Sequence, residues 1–482
     1  MEEVSFSQNL GLSREGRLKN LGIHSLYSFQ EEAIKSVLSN HDSLVIAPTS
    51  GGKSMCYVVP SLVRDGLTLV ISPLISLMRD QIRELREKGV PSTSLDSMRS
   101  PEEKQLTMKQ VQEGQIKLLF VSPERLALPS FRSQLAKVEI GLVAIDEAHC
   151  VNQWGQDFRP EYAKISSYLK DFYKGPKIAL TATATADDRE KIIDLLNLDQ
   201  PDVVLAENTR SNLKTKFFRA KNQGEHLNLL LQGVLSASGS GVVYCATRKL
   251  CEEITSMLRS AGLSASSYHA GLHPDRRELV YREFMSGDST IIVATKAFGM
   301  GINKRDIRFV FHASLPESIE EYCQEIGRAG RDGDDARCYL FYVARDYHIK
   351  KYMIDKSFPK QGVIWAAYQL IEELFSFTQT VNEIELESQI KSSCGLNSDE
   401  VRQVLEFFFR ENVLRRLELV RDSWSDQGID VMVAINSKKQ SLKSLCESLE
   451  CRKEGKLSRL KSMYELAKTE ESAESYITKY FS

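Results

Sequence analysis

Several features are missing from this chain, and each absence excludes a class of protein. None of its 482 residues belongs to an apolar run long enough to span a bilayer, which excludes a membrane-crossing helix. The opening Met1-Glu2-Glu3-Val4 is acidic and has no apolar secretory stretch, so no export is expected. The 9 cysteines contain no Cys-x-x-Cys pair, and no His lies within metal-ligand spacing of Cys446 and Cys451. That pattern fits free thiols in a reducing compartment, and no zinc is expected. Charge of one sign is also lacking: 63 Lys and Arg stand against 65 Asp and Glu, a formal net of −2. Bulk charge therefore does not announce a nucleic acid, and any basic groove must come from how the cations are distributed. No internal repeat or low-complexity segment is evident.

What is present reads as packed α/β structure. Hydrophobic residues make up 42% of the chain, enough for several cores, and the length implies about three domains at ~150 residues each. The organising stretch runs from Asp146 to Tyr162 and follows the apolar run Ile140 to Ile145, short enough for a buried parallel strand. Asp146 and Glu147 thus fall at the carboxyl end of a strand, where open α/β sheets bind ligands. Asp146 can hold Mg²⁺, and Glu147 can orient or deprotonate a water. Beyond them Trp154 and Phe158 flank Arg159 among turn residues, a pattern suited to stacking unpaired bases. Core packing is the plainer alternative for the two aromatic rings, and the neighbouring Gly, Gln, Asp and Arg weigh against it.

A second motif lies upstream. The strand Ser43 to Ile46 runs into Ala47-Pro48-Thr49-Ser50-Gly51-Gly52-Lys53-Ser54 and then a helix, the context a phosphate-binding loop requires. Glycines let backbone N–H groups approach phosphate, Lys53 reaches the β- and γ-phosphates, and Ser54 holds Mg²⁺. The usual first glycine is Ala47 here. Further strands at Leu67–Ser72, Lys117–Val121 and Lys177–Leu180 alternate with helical segments, which predicts a parallel doubly wound sheet. The hydroxyl residues that end these strands suit phosphate contacts, although each alone reads equally as a helix N-cap.

The pattern restarts after Asn208 to Asn212. Strands are expected at Lys214–Arg219, Val242–Cys245 and Thr290–Ala294, followed by the glycine-bearing segment Thr295 to Asn303. Then comes Gln324-Glu325-Ile326-Gly327-Arg328-Ala329-Gly330-Arg331-Asp332, whose two arginines three apart are expected on one helical face. Opposite a phosphate loop, one of them can serve as an arginine finger.

In this order and over about Leu18 to Val343, these strings resemble a RecQ-type DNA helicase, within the superfamily that also holds the DEAD and DEAH proteins. Val70 to Gln81 is similar to the family's motif Ia, Asp146 to Tyr162 to its motif II with an aromatic-rich loop, and Gln324 to Gly333 to its motif VI. The resemblance implies that Thr49, Ser50, Gly51, Gly52, Lys53, Ser54, Asp146 and Glu147 handle Mg-ATP, with Ser54 and Asp146 on the metal. It implies that Gln30 reads adenine and that Arg328 and Arg331 contact phosphates across a cleft. His149 and Gln324 would sit near the γ-phosphate, linking hydrolysis to closure, and movement would run 3′ to 5′ along single-stranded DNA.

This chain also departs from the family. Ser50 stands where the family has a glycine, Gln156 replaces the His of the aromatic loop, and Asn303 replaces an Asp of motif V. The positions of the family's adenine-stacking Tyr and Arg are Ile23 and Tyr27, which leaves Tyr27 to stack on the base. The family's four-cysteine zinc module has no counterpart after Asp346. Helices are expected instead at Gln361–Phe375, Ile384–Ser392 and Ser398–Arg410. Asn397 and Glu400 would form a capping box. A hairpin of Val413–Val420 and Ile429–Ile435 would carry Trp424 at its tip as a wedge. Helix-turn-helix plus hairpin predicts a winged helix, with a small helical packing domain as the alternative.

The expected architecture is α/β. Two tandem RecA-like domains (1–207 and 208–346) precede a winged-helix-like α+β domain (347–436) and a charged, solvated helical tail (437–482). The expected function is ATP-dependent 3′–5′ DNA unwinding in repair or recombination, on single-stranded and tailed or forked duplex DNA, with ATP and Mg²⁺. The compartment would be the bacterial cytoplasm and nucleoid, or the nucleus in a eukaryote. The alternatives are an RNA helicase, or a strand-annealing ATPase with weak unwinding.

Overall fold

The computed structural model describes residues 25–49, 51–73, 75–96, 99–151, 161–206, 210–299, 304–411, 413–417, 432–435 and 441–481. They fall into two compact units, one within 1–346 and 462–482, the other within 347–461.

The first unit holds two parallel sheets. One contains β1 (Ser43–Ile46), β2 (Leu67–Ile71), β3 (Ser92–Leu95), β4 (Leu118–Val121), β5 (Ile140–Ile145), β6 (Lys177–Thr181) and β7 (Asp202–Leu205), in the order β3-β4-β2-β5-β6-β1-β7. The other contains β8 (Leu213–Ala220), β9 (Ser240–Tyr244), β10 (Ala265–Tyr268), β11 (Ile291–Ala294), β12 (Ile307–His312) and β13 (Ala336–Val343), in the order β10-β11-β9-β12-β13-β8. These are the two RecA-like lobes. Their central strands are apolar throughout because helices cover both faces. Leu44, Val45, Leu142, Val143, Ala144 and Ile145 have no exposed surface. β3 breaks that rule: Ser92, Thr93 and Ser94 are buried. Arg86 donates to Ser92 O at 2.7 Å, and Ser94 Oγ donates to Asp96 at 3.1 Å.

The second unit packs the helices Gln361–Phe377, Glu383–Cys394 and Ser398–Arg410 against a small antiparallel sheet. The sheet consists of β14 (Val381–Asn382), β15 (Leu414–Leu417) and β16 (Met432–Ile435), in the order β14-β16-β15. Ile364, Ile371, Leu386, Ile390, Val404, Phe408 and Val433 form its core. Asn397 accepts from the N–H groups of Asp399 and Glu400 at 3.0 Å, and Glu400 accepts from Asn397 N at 3.0 Å, so the expected capping box is formed. The arrangement is winged-helix-like.

The tail differs from a solvated helix. It forms the helices Leu442–Lys468 and Ala473–Phe481 and buries Leu460, Met463, Leu466, Ile477 and Phe481. Ala473, Ile477 and Phe481, spaced four apart, share one helical face, an apolar stripe that the mixed charge of the tail concealed. Among the described residues, no helix is long and apolar enough to cross a membrane.

Candidate nucleotide site between the two lobes

Strands β5, β6 and β1 are neighbours, so the loops leaving them share one sheet edge. Ile46 pairs with Thr181, and Ile145 with Ala179. That register gathers the segments 47–54, 146–149 and 181–183 at the carboxyl ends of the strands.

The phosphate loop is held by a few polar contacts. Lys53 Nζ donates to Ala47 O at 2.9 Å and Pro48 O at 3.2 Å. Enclosure lowers its pKa from the ordinary lysine range, the charges of Glu147 and Asp146 push back, and Arg331 adds to the lowering. Gly52 sits at φ +78°, and a Cβ there would lie 2.6 Å from Gln30 Nε2. Gln30 occupies that space, donating to Gly52 O at 2.9 Å while its Oε1 accepts from Tyr27 N at 2.9 Å. The adenine-reading candidate thus braces the loop. Tyr27 is 67% exposed, and its ring lies parallel to that of Phe29 with centroids 6.0 Å apart. Ser54 Oγ accepts from Gln81 Nε2 at 3.3 Å, and Gln81 Oε1 accepts from the Tyr57 hydroxyl at 3.4 Å.

On the next strand but one, Asp146 is buried and its Oδ1 accepts from Glu147 N at 3.0 Å. Burial and then the neighbouring Glu147 push its carboxyl pKa up to about 7, against the pull of Lys53. Its carbonyl accepts from the Tyr162 hydroxyl at 2.9 Å. Glu147 takes φ +51°, a left-handed conformation that costs a non-glycine residue about 1 kcal/mol or more and persists where structure enforces it. A hydroxyl and a carboxylate beside a lysine that donates to two backbone carbonyls form a donor set that fits Mg-ATP.

His149 links the lobes. Its Nδ1 lies 3.0 Å from Thr181 Oγ1 and 3.3 Å from Glu147 Oε2, and its Nε2 lies 3.4 Å from Gln324 Nε2. The Gln324 amide nitrogen that faces the ring can only donate, so with this amide orientation His149 Nε2 accepts and the proton lies on Nδ1. Nδ1–H then donates to Thr181, whose hydroxyl donates to Thr183 O at 3.2 Å.

The arginines do not share a helical face. The helix Ile319–Ile326 stops at Gly327, and Gly330 adopts φ +54°, where a Cβ would lie 2.6 Å from Asn212 Nδ2 and Asp334 O. These glycines turn the chain, so Arg328 and Arg331 lie on a turn that Arg210 braces by donating to Gly327 O at 3.2 Å and to Gly330 O. Arg328 is buried and donates to Gly299 O. Burial, then the charges of Arg328 and Arg210, bring the Arg331 pKa down to about 10, so it stays cationic at neutral pH. Gly327 itself packs on the phosphate loop, since a Cβ there would lie 2.8 Å from the Cβ of Thr49.

The structure therefore brings together Gln30, Thr49, Gly51, Gly52, Lys53, Ser54, Asp146, Glu147, His149, Gln324, Arg328 and Arg331. Ser50, Trp154, Phe158, Arg159 and Trp424 lie outside the described residues. Sequence reasoning missed Tyr57, Tyr162, Arg210 and the bracing role of Gln81. All four act through hydroxyl, amide or guanidinium contacts between segments distant in sequence, which no local periodicity reveals.

The DEAD/DEAH box helicase family matches residues 27–192, and the helicase conserved C-terminal domain matches residues 225–333. The chain is 42% identical over 368 residues to the ATP-dependent DNA helicase RecQ of Pasteurella multocida, covering 76% of this chain and 58% of that protein. It thus spans under two thirds of that relative's length. It is 38% identical over 391 residues to a "Probable ATP-dependent DNA helicase RecS" of Bacillus subtilis, covering 81% of this chain and 77% of that one. Among solved structures, the Mycobacterium smegmatis helicase Lhr bound to ssDNA and AMP-PNP superposes with a TM-score of 0.56 at 18% identity, over 89% of this chain and 60% of that one. The DUF1998 helicase MrfA bound to DNA gives 0.57 at 20% identity, over 90% of this chain and 61% of that one. These two likenesses show the fold. The sequence identities, over most of this chain and of the Bacillus subtilis relative, show that the chain belongs to the RecQ family of helicases.

Proposed function

We propose that this chain hydrolyses ATP to move 3′ to 5′ along single-stranded DNA and to part duplexes, in repair or recombination. The observation that carries the reading is the contact between Gln324 and His149, which ties the second lobe to the catalytic edge of the first. In this reading Lys53 leaves the carbonyls of Ala47 and Pro48 for the β- and γ-phosphates. Ser54 and Asp146 would hold Mg²⁺, which supplies neutralisation of phosphate charge when bound. Glu147 orients a water and takes its proton as the water oxygen bonds to the γ-phosphorus and the bond to ADP breaks. Arg328 and Arg331 stabilise the charge on the transferring group as the lobes close. Gln30 and Tyr27 hold the adenine.

Trp154, Phe158 and Arg159 follow the catalytic carboxylates closely in sequence and would stack the DNA strand, so that base contact is felt at Glu147. Trp424, in the connection between β15 and β16, would act as a wedge at the duplex end. We assign 1–207 and 208–346 to the two lobes, 347–436 to the winged-helix-like domain and 437–482 to the tail. Tailed or forked duplexes are the proposed substrates.

The test is ATP hydrolysis with single-stranded DNA or RNA of equal length, alongside strand displacement on 3′-tailed and 5′-tailed duplexes. DNA stimulation with displacement confined to the 3′-tailed duplex is expected. Preferential stimulation by RNA, displacement from 5′ tails, or annealing without displacement would each replace the reading.

A further inference from the structure

The residues after Ser462 rejoin the first unit and touch both lobes. Tyr342 on β13 donates its hydroxyl to Ala467 O at 3.0 Å, and its ring meets that of Tyr464 edge-on at 6.4 Å. That anchors the chain on the second lobe just before its last described helix. Within the helix Ala473–Phe481, the Tyr480 hydroxyl donates to Glu320 at 3.0 Å, on the same helix of the second lobe that carries Gln324. From the first lobe, Arg189 on the helix Ala186–Leu196 donates its guanidinium to the carbonyl of Phe481. Ile477 and Phe481 are 9% and 6% exposed. They form one wall of a cavity of about 90 Å³, whose other walls include Thr49 and Thr183 from the first lobe and Cys323 and Ile326 from the second.

A helix of 9 residues does not hold its shape alone, so its order comes from docking. Both lobes contribute the dock, so the helix fits one lobe spacing, that in which Gln324 reaches His149 and Gly327 lies on Thr49. A group that binds one of two states shifts the equilibrium toward it by its differential affinity. We infer that the helix Ala473–Phe481 is an intramolecular strap that stabilises the closed arrangement of the two lobes, and through it raises the affinity for nucleotide. The inference rests on the reading above only in that the lobes open and close with ATP.

Two measurements on the full chain test it. Spectroscopic labels on bio-orthogonal residues at the exposed positions Gln112 and Glu253 report the lobe spacing without turnover. The KM for ATP, with saturating single-stranded DNA, reports coupling. The double variant I477D/F481D is expected to move the label distances outward and to raise KM threefold to tenfold with kcat held within twofold. Tyr480→Phe, which keeps the ring and loses one hydrogen bond, should move both readouts in the same direction by less. A thermal melt of each variant guards against global unfolding, and should the double variant fail to fold, Tyr480→Phe decides. Unchanged distances and KM would make the helix mere packing. A faster DNA-independent rate at unchanged KM would make it an inhibitory plug, and either result overturns the strap. If the parent chain hydrolyses no ATP, the proposed function fails, while the label distances still judge the strap.

Discussion

Gln324 and His149 approach to 3.4 Å, and the same imidazole reaches Thr181 at 3.0 Å and Glu147 at 3.3 Å. One ring therefore senses the second lobe, the strand-end hydroxyls and the proposed base together. If closure acts through this ring, His149→Ala and Gln324→Ala should not be independent. Each should lower the DNA-stimulated kcat, and the double variant should be no worse than the poorer single within about threefold. Contacting residues couple by roughly 0.5–3 kcal/mol, large enough to read in such a cycle. Fold losses that simply multiply would show that the two side chains act separately.

Arg331, from the opposite lobe, lies near enough to Lys53 of the phosphate loop that its charge lowers the lysine pKa. Their removal should have different signatures. Arg331→Ala should leave ATP binding nearly normal and slow turnover by ~10³, since a guanidinium from the opposing lobe acts mainly in the transition state. Lys53→Ala should abolish hydrolysis while keeping affinity for single-stranded DNA, because Lys53 is enclosed in the phosphate loop. A large loss of ATP affinity at unchanged kcat for Arg331→Ala would make it a ground-state binder instead.

The second unit offers a stability test. Arg452 and Glu411 form a buried ion pair, 3% and 8% exposed, and Ser448 also donates to Glu411 at 3.2 Å. Burial lowers the Arg452 pKa and Glu411 raises it again. Arg452→Ala leaves a carboxylate without its main partner and should cost about 3–5 kcal/mol. Arg452→Met combined with Glu411→Leu should recover most of that. Equal unfolding midpoints for parent and Arg452→Ala in urea would show that the pair contributes nothing.

Strands with continuous apolar character were legible in the sequence, because burial on both faces selects such residues: β1, β2 and β5 fall where expected, while β9 begins two residues before the expected Val242. β3 was not among the expected strands, since Ser92, Thr93 and Ser94 lack apolar character and are buried with local hydrogen-bond partners. The order of the motifs pointed to the candidate nucleotide residues. It did not give the turn at Gly327 and Gly330, which places both arginines beyond the helix. Nor did it give the docked face of Ala473, Ile477 and Phe481, because the charged residues around that stripe suggested a solvated helix.

Glu147 gives the last prediction. Its backbone at φ +51° lies in the left-handed region, where its N–H holds Asp146 Oδ1 at 3.0 Å and its carboxylate reaches His149. Strain of this kind, about 1–3 kcal/mol, persists at sites where the conformation serves the chemistry. Two substitutions separate backbone from side chain. Glu147→Gln keeps the size and the φ requirement but removes the proton acceptor. It should lower kcat by ~10²–10⁴, the range of a general base, with KM for ATP within about threefold of the parent. Glu147→Gly also lacks the base, yet glycine takes positive φ without penalty. It should be as inactive as Glu147→Gln and unfold at equal or higher temperature than the parent. Activity and stability should thus move apart at one residue, with kcat from steady-state hydrolysis and the midpoint from a thermal melt as the two readouts. A Glu147→Gln variant that turns over at the parent's rate would remove Glu147 from the chemistry. A Glu147→Gly variant that melts well below the parent would show that the side chain's contact with His149 outweighs the backbone strain.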